Sequence, residues 1–165
     1  MSTTPNIVPR AADEGGLGTS SKNWGKIYTQ QRIMEISSST DGDHHGDVVY
    51  FGGTTSMTTG AIYHYKSDGT WELADADAAS TCDGLLGVAL GAASNTNGVL
   101  LRGMVTLDHD PGAVGDVLYL STTGGDASAT APSGSGDVVR IIGYCLDASN
   151  GQIWFNPDST FVEVA

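Results

Sequence analysis

A phrase used twice constrains this chain more than any other feature. Gly46-Asp47-Val48-Val49-Tyr50-Phe51 runs into Gly-Gly-Thr-Thr, and Gly115-Asp116-Val117-Leu118-Tyr119-Leu120 runs into Ser-Thr-Thr-Gly-Gly. A partial third copy is Gly136-Asp137-Val138-Val139-Arg140-Ile141-Ile142. Each reads as a Gly-Asp turn that launches a strand of β-branched and aromatic residues. The chain is rich in glycine, with 23, and only 16 % of it is charged, so long helices are disfavoured. Strands are predicted near 47–51, 61–66, 70–73, 85–90, 98–107, 116–121, 137–146, 151–155 and 160–164. Asp68-Gly69 between two strand-like runs predicts a hairpin, as do Asn97-Gly98 and Asn150-Gly151. The expectation is an all-β fold, a small β-sandwich or barrel. The candidate for a short helix is 74–80. Residues 121–136, small throughout, predict an exposed loop or irregular hairpin.

Charge divides the chain. Residues 1–35 hold Arg10, Lys22, Lys26 and Arg32 against three acids, a net +1, whereas 36–165 hold three cations against 16 acids, a net −13. An acidic body repels nucleic acid and anionic membrane, so neither is an expected partner. No apolar run approaches the ~18 residues of a spanning helix. Met-Ser-Thr-Thr-Pro lacks the basic start and apolar stretch of a secretion signal, which predicts synthesis in the cytoplasm. Cys82 and Cys145 are then expected to be free thiols, with Cys145 in or near the core.

The organisation predicted is an extended N-terminal attachment arm over 1–42 and a β-rich domain over 43–165. Trp24 and Tyr28 argue against a merely disordered tail, which would be poor in such residues. Ile7, Val8, Leu17, Trp24, Ile27 and Tyr28 are the expected anchors on a neighbouring protein or a second copy. Arg10, Lys22, Lys26 and Arg32 are the expected polar contacts around them.

Two clusters invite a chemical reading. Asp41, Asp43, His44, His45 and Asp47 crowd seven residues, but adjacent histidines on one strand point to opposite faces and do not readily share an ion. The segment is expected to be a solvated linker, although one histidine per chain could converge on a three-fold axis. Asp108-His109-Asp110 sits at a strand end without a nucleophile elbow. The glutamates show no paired spacing for glycoside cleavage, and no phosphate-binding glycine loop occurs. The expectation is a protein that is not an enzyme and needs no cofactor or metal.

On these residues the arm, residues 6–28, resembles a segment of virion structural proteins of tailed phages, notably those of marine cyanobacteria. The body resembles phage head decoration (cement) proteins through an ordered series: Gly46–Phe51 as 46–51, Leu86-Gly87-Val88-Ala89-Leu90, then 115–120. The series closes with Gly143-Tyr144-Cys145-Leu146-Asp147 leading to Gly151-Gln152-Ile153-Trp154-Phe155. The resemblance implies a small β fold, a homotrimer, bound to the major capsid protein on the outer surface of the head. The arm departs from minimal decoration proteins. The alternatives are a short head or tail fibre reading a host glycan through 121–136 and 94–98, and a sugar-binding module using Tyr63, Trp71 and Trp154.

Overall fold

The computed structural model describes residues 10–11, 16–19, 21–35 and 38–165. The chain divides into two units, Met1–Ile33 and Met34–Ala165. Ile7 and Val8 lie outside the described residues. In the first unit Thr19 and Lys22 exchange backbone hydrogen bonds of 3.0 and 3.1 Å, which close a single turn. Residues 23–33 carry no regular secondary structure.

The second unit is all-β. In chain order its strands are β1 (His44–Val49), β2 (Ile62–Tyr65), β3 (Trp71–Leu73), β4 (Leu86–Ala89), β5 (Val99–Thr106), β6 (Val117–Leu120), β7 (Ala127–Ser128), β8 (Val138–Val139), β9 (Ile141–Asp147), β10 (Gln152–Phe155) and β11 (Val162–Glu163). A 3-10 turn at Ala79–Thr81 and a one-turn helix α1 (Ser94–Asn97) complete them. The helix expected over 74–80 shrinks to that 3-10 turn, and the Asn97-Gly98 hairpin is instead α1 followed by Gly98 at φ 88°. The other two predicted hairpins form, β2–β3 around Asp68-Gly69 and β9–β10 around Asn150-Gly151.

The spine is β5. One of its edges pairs throughout with β1, antiparallel. The other is shared: β4 pairs with Val99 and Leu100, β10 with residues 103–106. From β4 the sheet continues through β2 to β3, and from β10 through β9 and β6 to β7. The two branches curl into a half-barrel and meet at Gly125. Its carbonyl accepts the Ile62 N–H and its own N–H donates to the Ala74 carbonyl, both at 2.8 Å. Ile62, Leu86 and Val88 of one branch thereby pack in one core with Leu118, Ile142 and Ile153 of the other.

Such curl needs room at the bend. Across the sheet Gly46 faces Gly103, Gly103 faces Phe155, and Phe155 faces Gly143. A Cβ on Gly103 would strike the His45 carbonyl, and one on Gly143 the Trp154 carbonyl. Neither position admits a side chain, and Phe155, paired with both, is fully buried in the core. A second, smaller cluster lies beyond, where Trp71 donates its indole N–H to the Phe51 carbonyl at 2.9 Å and stacks on the Phe51 ring at 5.6 Å.

The Gly-Asp phrase has two meanings. At Gly115 and Gly136 it is the expected turn, with φ of 88° and 89°, the third residue of a four-residue turn closed from Asp116 N–H to Ala113 O and from Asp137 N–H to Gly134 O. Each aspartate also accepts the N–H of the turn's first residue, Ala113 at 2.9 Å and Gly134 at 2.7 Å. Gly46-Asp47, by contrast, lies inside β1, so the expected linker at 41–47 is a strand that begins three residues earlier than predicted. A further turn copy is Gly125-Asp126, with Gly125 at φ 88° and Asp126 N–H bonded to Thr123 O. It organises 121–136 into the irregular hairpin β6–β7.

Arg140 interrupts the predicted strand 137–146, separating β8 from β9. Though only 3 % exposed, its guanidinium donates to three carbonyls: Cys82 through Nη1, Gly84 through Nη2 at 2.8 Å and Asp158 through Nε at 2.8 Å. Burial lowers its pKa, opposed by the neighbouring Cys82, Asp83 and Asp158, yet a guanidinium remains charged at any physiological pH. Both cysteines are free and buried, and burial pushes the Cys82 thiol up to about 11.

Two outcomes follow from this geometry. Arg140→Ala removes the donor to the buried Cys82 carbonyl and to the carbonyls of the exposed Gly84 and Asp158, and costs about 1–3 kcal/mol, a melting temperature lower by roughly 5 °C for a domain of this size. Arg140→Lys, one ammonium in place of a fork, recovers only part of it; equal melting of lysine variant and parent would refute the carbonyl cage. At the β2–β3 turn, Asp68 is held down to about 2 by the Thr70 hydroxyl (2.7 Å) and Lys66 (3.1 Å). A carboxylate lowered in the folded state stabilises fully above its unfolded pKa near 4 and loses that contribution as pH falls through about 2. Carbon-detected NMR titration of Asp68 should give that midpoint, and Thr70→Val should move it upward.

Candidate functional site

The body brings together one cluster of metal-ligating type among its described residues, Asp108, His109 and Asp126. Asp110, the expected second acid, is not part of it; Asp126 replaces it. The partner arrives from the 121–136 hairpin, and the signal for it was present in the sequence as the unrecognised Gly125-Asp126 copy of the turn phrase. His109 Nδ1 lies 2.8 Å from Asp108 Oδ1 and 3.6 Å from Asp126 Oδ1.

The backbone decides what this imidazole can do. His109 Nε2 receives the Ala127 N–H at 2.9 Å. An amide N–H only donates, so Nε2 is the acceptor and Nδ1 carries the proton, donated to Asp108. A cation placed among the two carboxylates and Nδ1 would require the proton to move to Nε2, directly against the Ala127 N–H. The triad therefore fastens β7 to the end of β5, and the same occupancy removes a general base, which would need a free ring nitrogen.

The other histidine pair divides as expected. His44 pairs in register with Val105 and His45 with Met104, neighbours on opposite faces of the sheet. His44 donates Nδ1–H to the Gly42 carbonyl at 2.9 Å, and His45 is exposed. The pair does not form a chelate within one chain.

The sugar-platform residues separate too: Tyr63 and Trp71 are buried at 4 % and 3 %, with the Tyr63 hydroxyl accepting the Thr58 N–H at 2.8 Å. Trp154 alone is partly exposed, beneath the Arg102 guanidinium at 5.9 Å. A groove of about 510 Å³ passes Leu85, Leu101 and Pro157, but the Arg140 that lines it is already engaged by the three carbonyls. The described residues include no helix long and apolar enough to cross a membrane.

The predicted attachment residues are different in kind. Leu17, Trp24, Ile27 and Tyr28 are exposed, Tyr28 by 88 %. Arg10, Lys22, Lys26 and Arg32 are also exposed. Residues 16–34 contain three cations and no acid. Comparison with protein-family models, with curated proteins and with solved structures gives no match.

Dialysis against EDTA should leave the melting temperature within about 1 °C, whereas a fall of about 5 °C, ~1–2 kcal/mol at this size, would restore a metal role. His109→Ala should cost about 1–3 kcal/mol by stranding the Ala127 N–H and the Asp108 carboxylate, a loss that added zinc does not reverse.

Proposed function

We propose that this chain is a non-enzymatic virion structural protein, a capsid decoration (cement) protein that holds the outer head surface of a tailed phage through its N-terminal arm. The observation that carries the reading is the arm itself: exposed Trp24, Ile27 and Tyr28 beside Lys22, Lys26 and Arg32. Aromatic side chains left in water have much to gain from burial on a partner, ~25 cal/mol for each Å² covered. The cations suit an acidic partner surface, the major capsid protein in this proposal.

The body supports the same reading. His44 and His109 are spent on internal hydrogen bonds, and the curled sheet would be a carrier for the arm. Bound across joints between shell subunits, it would stabilise the shell by the free energy of that binding. Assembly as a homotrimer, the state implied by the resemblance, would multiply three weak arm contacts through effective concentration. The body's net −13 would face solvent and keep particles apart.

The test uses particles propagated from the genome that encodes the chain. Deleting residues 1–33 should leave a folded body with unchanged melting, but weaken particle binding by about 100-fold or more. Full occupancy by the truncated body, read by cryo-electron microscopy, would sink the arm assignment. Density at the tail, together with glycan binding by the isolated body, would favour a short fibre instead.

A further inference from the structure

Among the described residues, His64 is where a buried polar side chain goes unsatisfied. It lies on β2, only 2 % exposed, and neither ring nitrogen has a hydrogen-bond partner. Register puts it between Glu72 of β3 and Leu86 of β4. Two residues from Ile62, it shares that residue's side of the sheet, and both Ile62 and Leu86 belong to the main core. Burying an imidazole without partners is costly. A leucine would fill the position without that cost, so the imidazole calls for a physical reason.

A carboxylate stands at each end of the ring. Glu72 Oε2 lies 3.5 Å from Nε2 and Asp83 Oδ1 lies 3.9 Å from Nδ1, and the two acidic side chains are 52 % and 60 % exposed. Both distances exceed a good hydrogen bond, and each is closed by a small rotation of an exposed side chain. A neutral imidazole has one N–H and one lone pair, so one nitrogen always turns a lone pair toward a carboxylate. The imidazolium has an N–H for each, and the arrangement is complementary to that form alone. Other charges bear on it from three sides. Lys66 Nζ lies 3.7 Å from Glu72 and 3.1 Å from Asp68, so Glu72 is shared. Arg140 donates to the carbonyls of Cys82 and Gly84 on either side of Asp83, bracing that turn and opposing a further cation there. The Cys82 thiol, pushed up to about 11 by burial, stays neutral, and β4 contributes no charge. His64, Glu72 and Asp83 do not gather as a group that could share a metal ion.

We propose that His64 is a proton-operated latch: on the acid side of neutrality the ring takes up a proton, Glu72 and Asp83 swing in as acceptors, and the edge strand β3 is tied through β2 to the 82–84 turn. The geometry in this structure, with neither bond made, is the open state. Closing stabilises only the protonated ring. Its contribution is therefore full below the range in which a histidine of the unfolded chain titrates, and it fades as pH rises through neutrality. The latch acts within the body and is independent of what the arm holds.

Melting of the full-length chain at about pH 8 and about pH 6 tests it. Self-repulsion in a body of net −13 eases as protons are taken up anywhere, so the quantity read is the difference between parent and variant. The double substitution Glu72→Gln, Asp83→Asn, at two exposed sites, removes both charges and leaves the ring in place. On going from pH 8 to pH 6 the parent should gain at least about 3 °C more than this variant. Glu72→Gln alone, which should lose about half of that difference, serves if the double variant misfolds. Asp110→Asn with Glu163→Gln removes two exposed carboxylates elsewhere and should respond like the parent. Nitrogen-15 NMR of the His64 ring gives a second readout, with both nitrogens protonated at about pH 6 and one at about pH 8. A parent whose pH response equals that of the Glu72 variants overturns the proposal, as does a His64 ring still neutral at about pH 5.

Discussion

Backbone carbonyls of neighbouring strands stand where a Cβ on Gly103 or Gly143 would lie, and the half-barrel depends on those two close approaches. Two glycines in register on either side of one aromatic ring let the backbones of β5, β10 and β9 bend at a point where any Cβ would meet a carbonyl. Without the bend the β10–β9–β6 branch would continue flat from β5, and Gly125 could not reach Ile62 and Ala74. The bulges between Asp47 and Val48 and between Leu118 and Tyr119 sit beside the same region, adding twist where the sheet changes direction. The absence of two side chains thus lets the branches curl around a single core.

Closing a curled sheet from one side leaves the other side to be filled, and there the chain uses a charge. Between β4 and β10, which diverge along one edge of β5, the carbonyls of Cys82, Gly84 and Asp158 have no strand partner. Arg140 supplies donors to all three, at the expense of desolvating its guanidinium. A neutral side chain could fill the volume but would leave the buried Cys82 carbonyl without this donor, and a buried orphan is costly. The interruption between β8 and β9 is therefore the consequence of aiming residue 140 inward.

How much of this was legible in the sequence depends on the range of the interaction. Asp68-Gly69 was readable as a hairpin because a short loop ending in a glycine at φ 84° is specified by its own backbone preferences. Gly46-Asp47 was misread for the opposite reason: glycine serves either a positive φ or a close approach, and only Gly103, 57 positions away, shows that here it is the latter. Gly125-Asp126 repeats the turn phrase, yet its small neighbours hid it, since Ala127 has none of the bulk that marks a strand. Arg140 stood out as a lone cation in Val138-Val139-Arg140-Ile141-Ile142, but its carbonyl partners lie 56 and 58 residues away in a turn. The exposed arm residues were legible from composition alone, because their character does not depend on what the rest of the chain folds into.

The fate of the polar groups connects fold to function. In an enzyme, histidine and carboxylate side chains are held by the fold but keep a lone pair or proton free for the substrate. Here both nitrogens of His109 are committed, Asp116 and Asp137 close turns, and His44 secures the start of β1. His64 stands apart from them: it is buried and neither ring nitrogen has a hydrogen-bond partner, with Glu72 at 3.5 Å and Asp83 at 3.9 Å. The polar side chains that do bond brace the sheet from within, while Trp24 and Tyr28 lie exposed. The acidic charge of the body, 16 acids against three cations from residue 36 onward, raises the electrostatic cost of bringing two bodies together. Specificity for a partner arises as much from where the carboxylates are as from where the aromatic rings are.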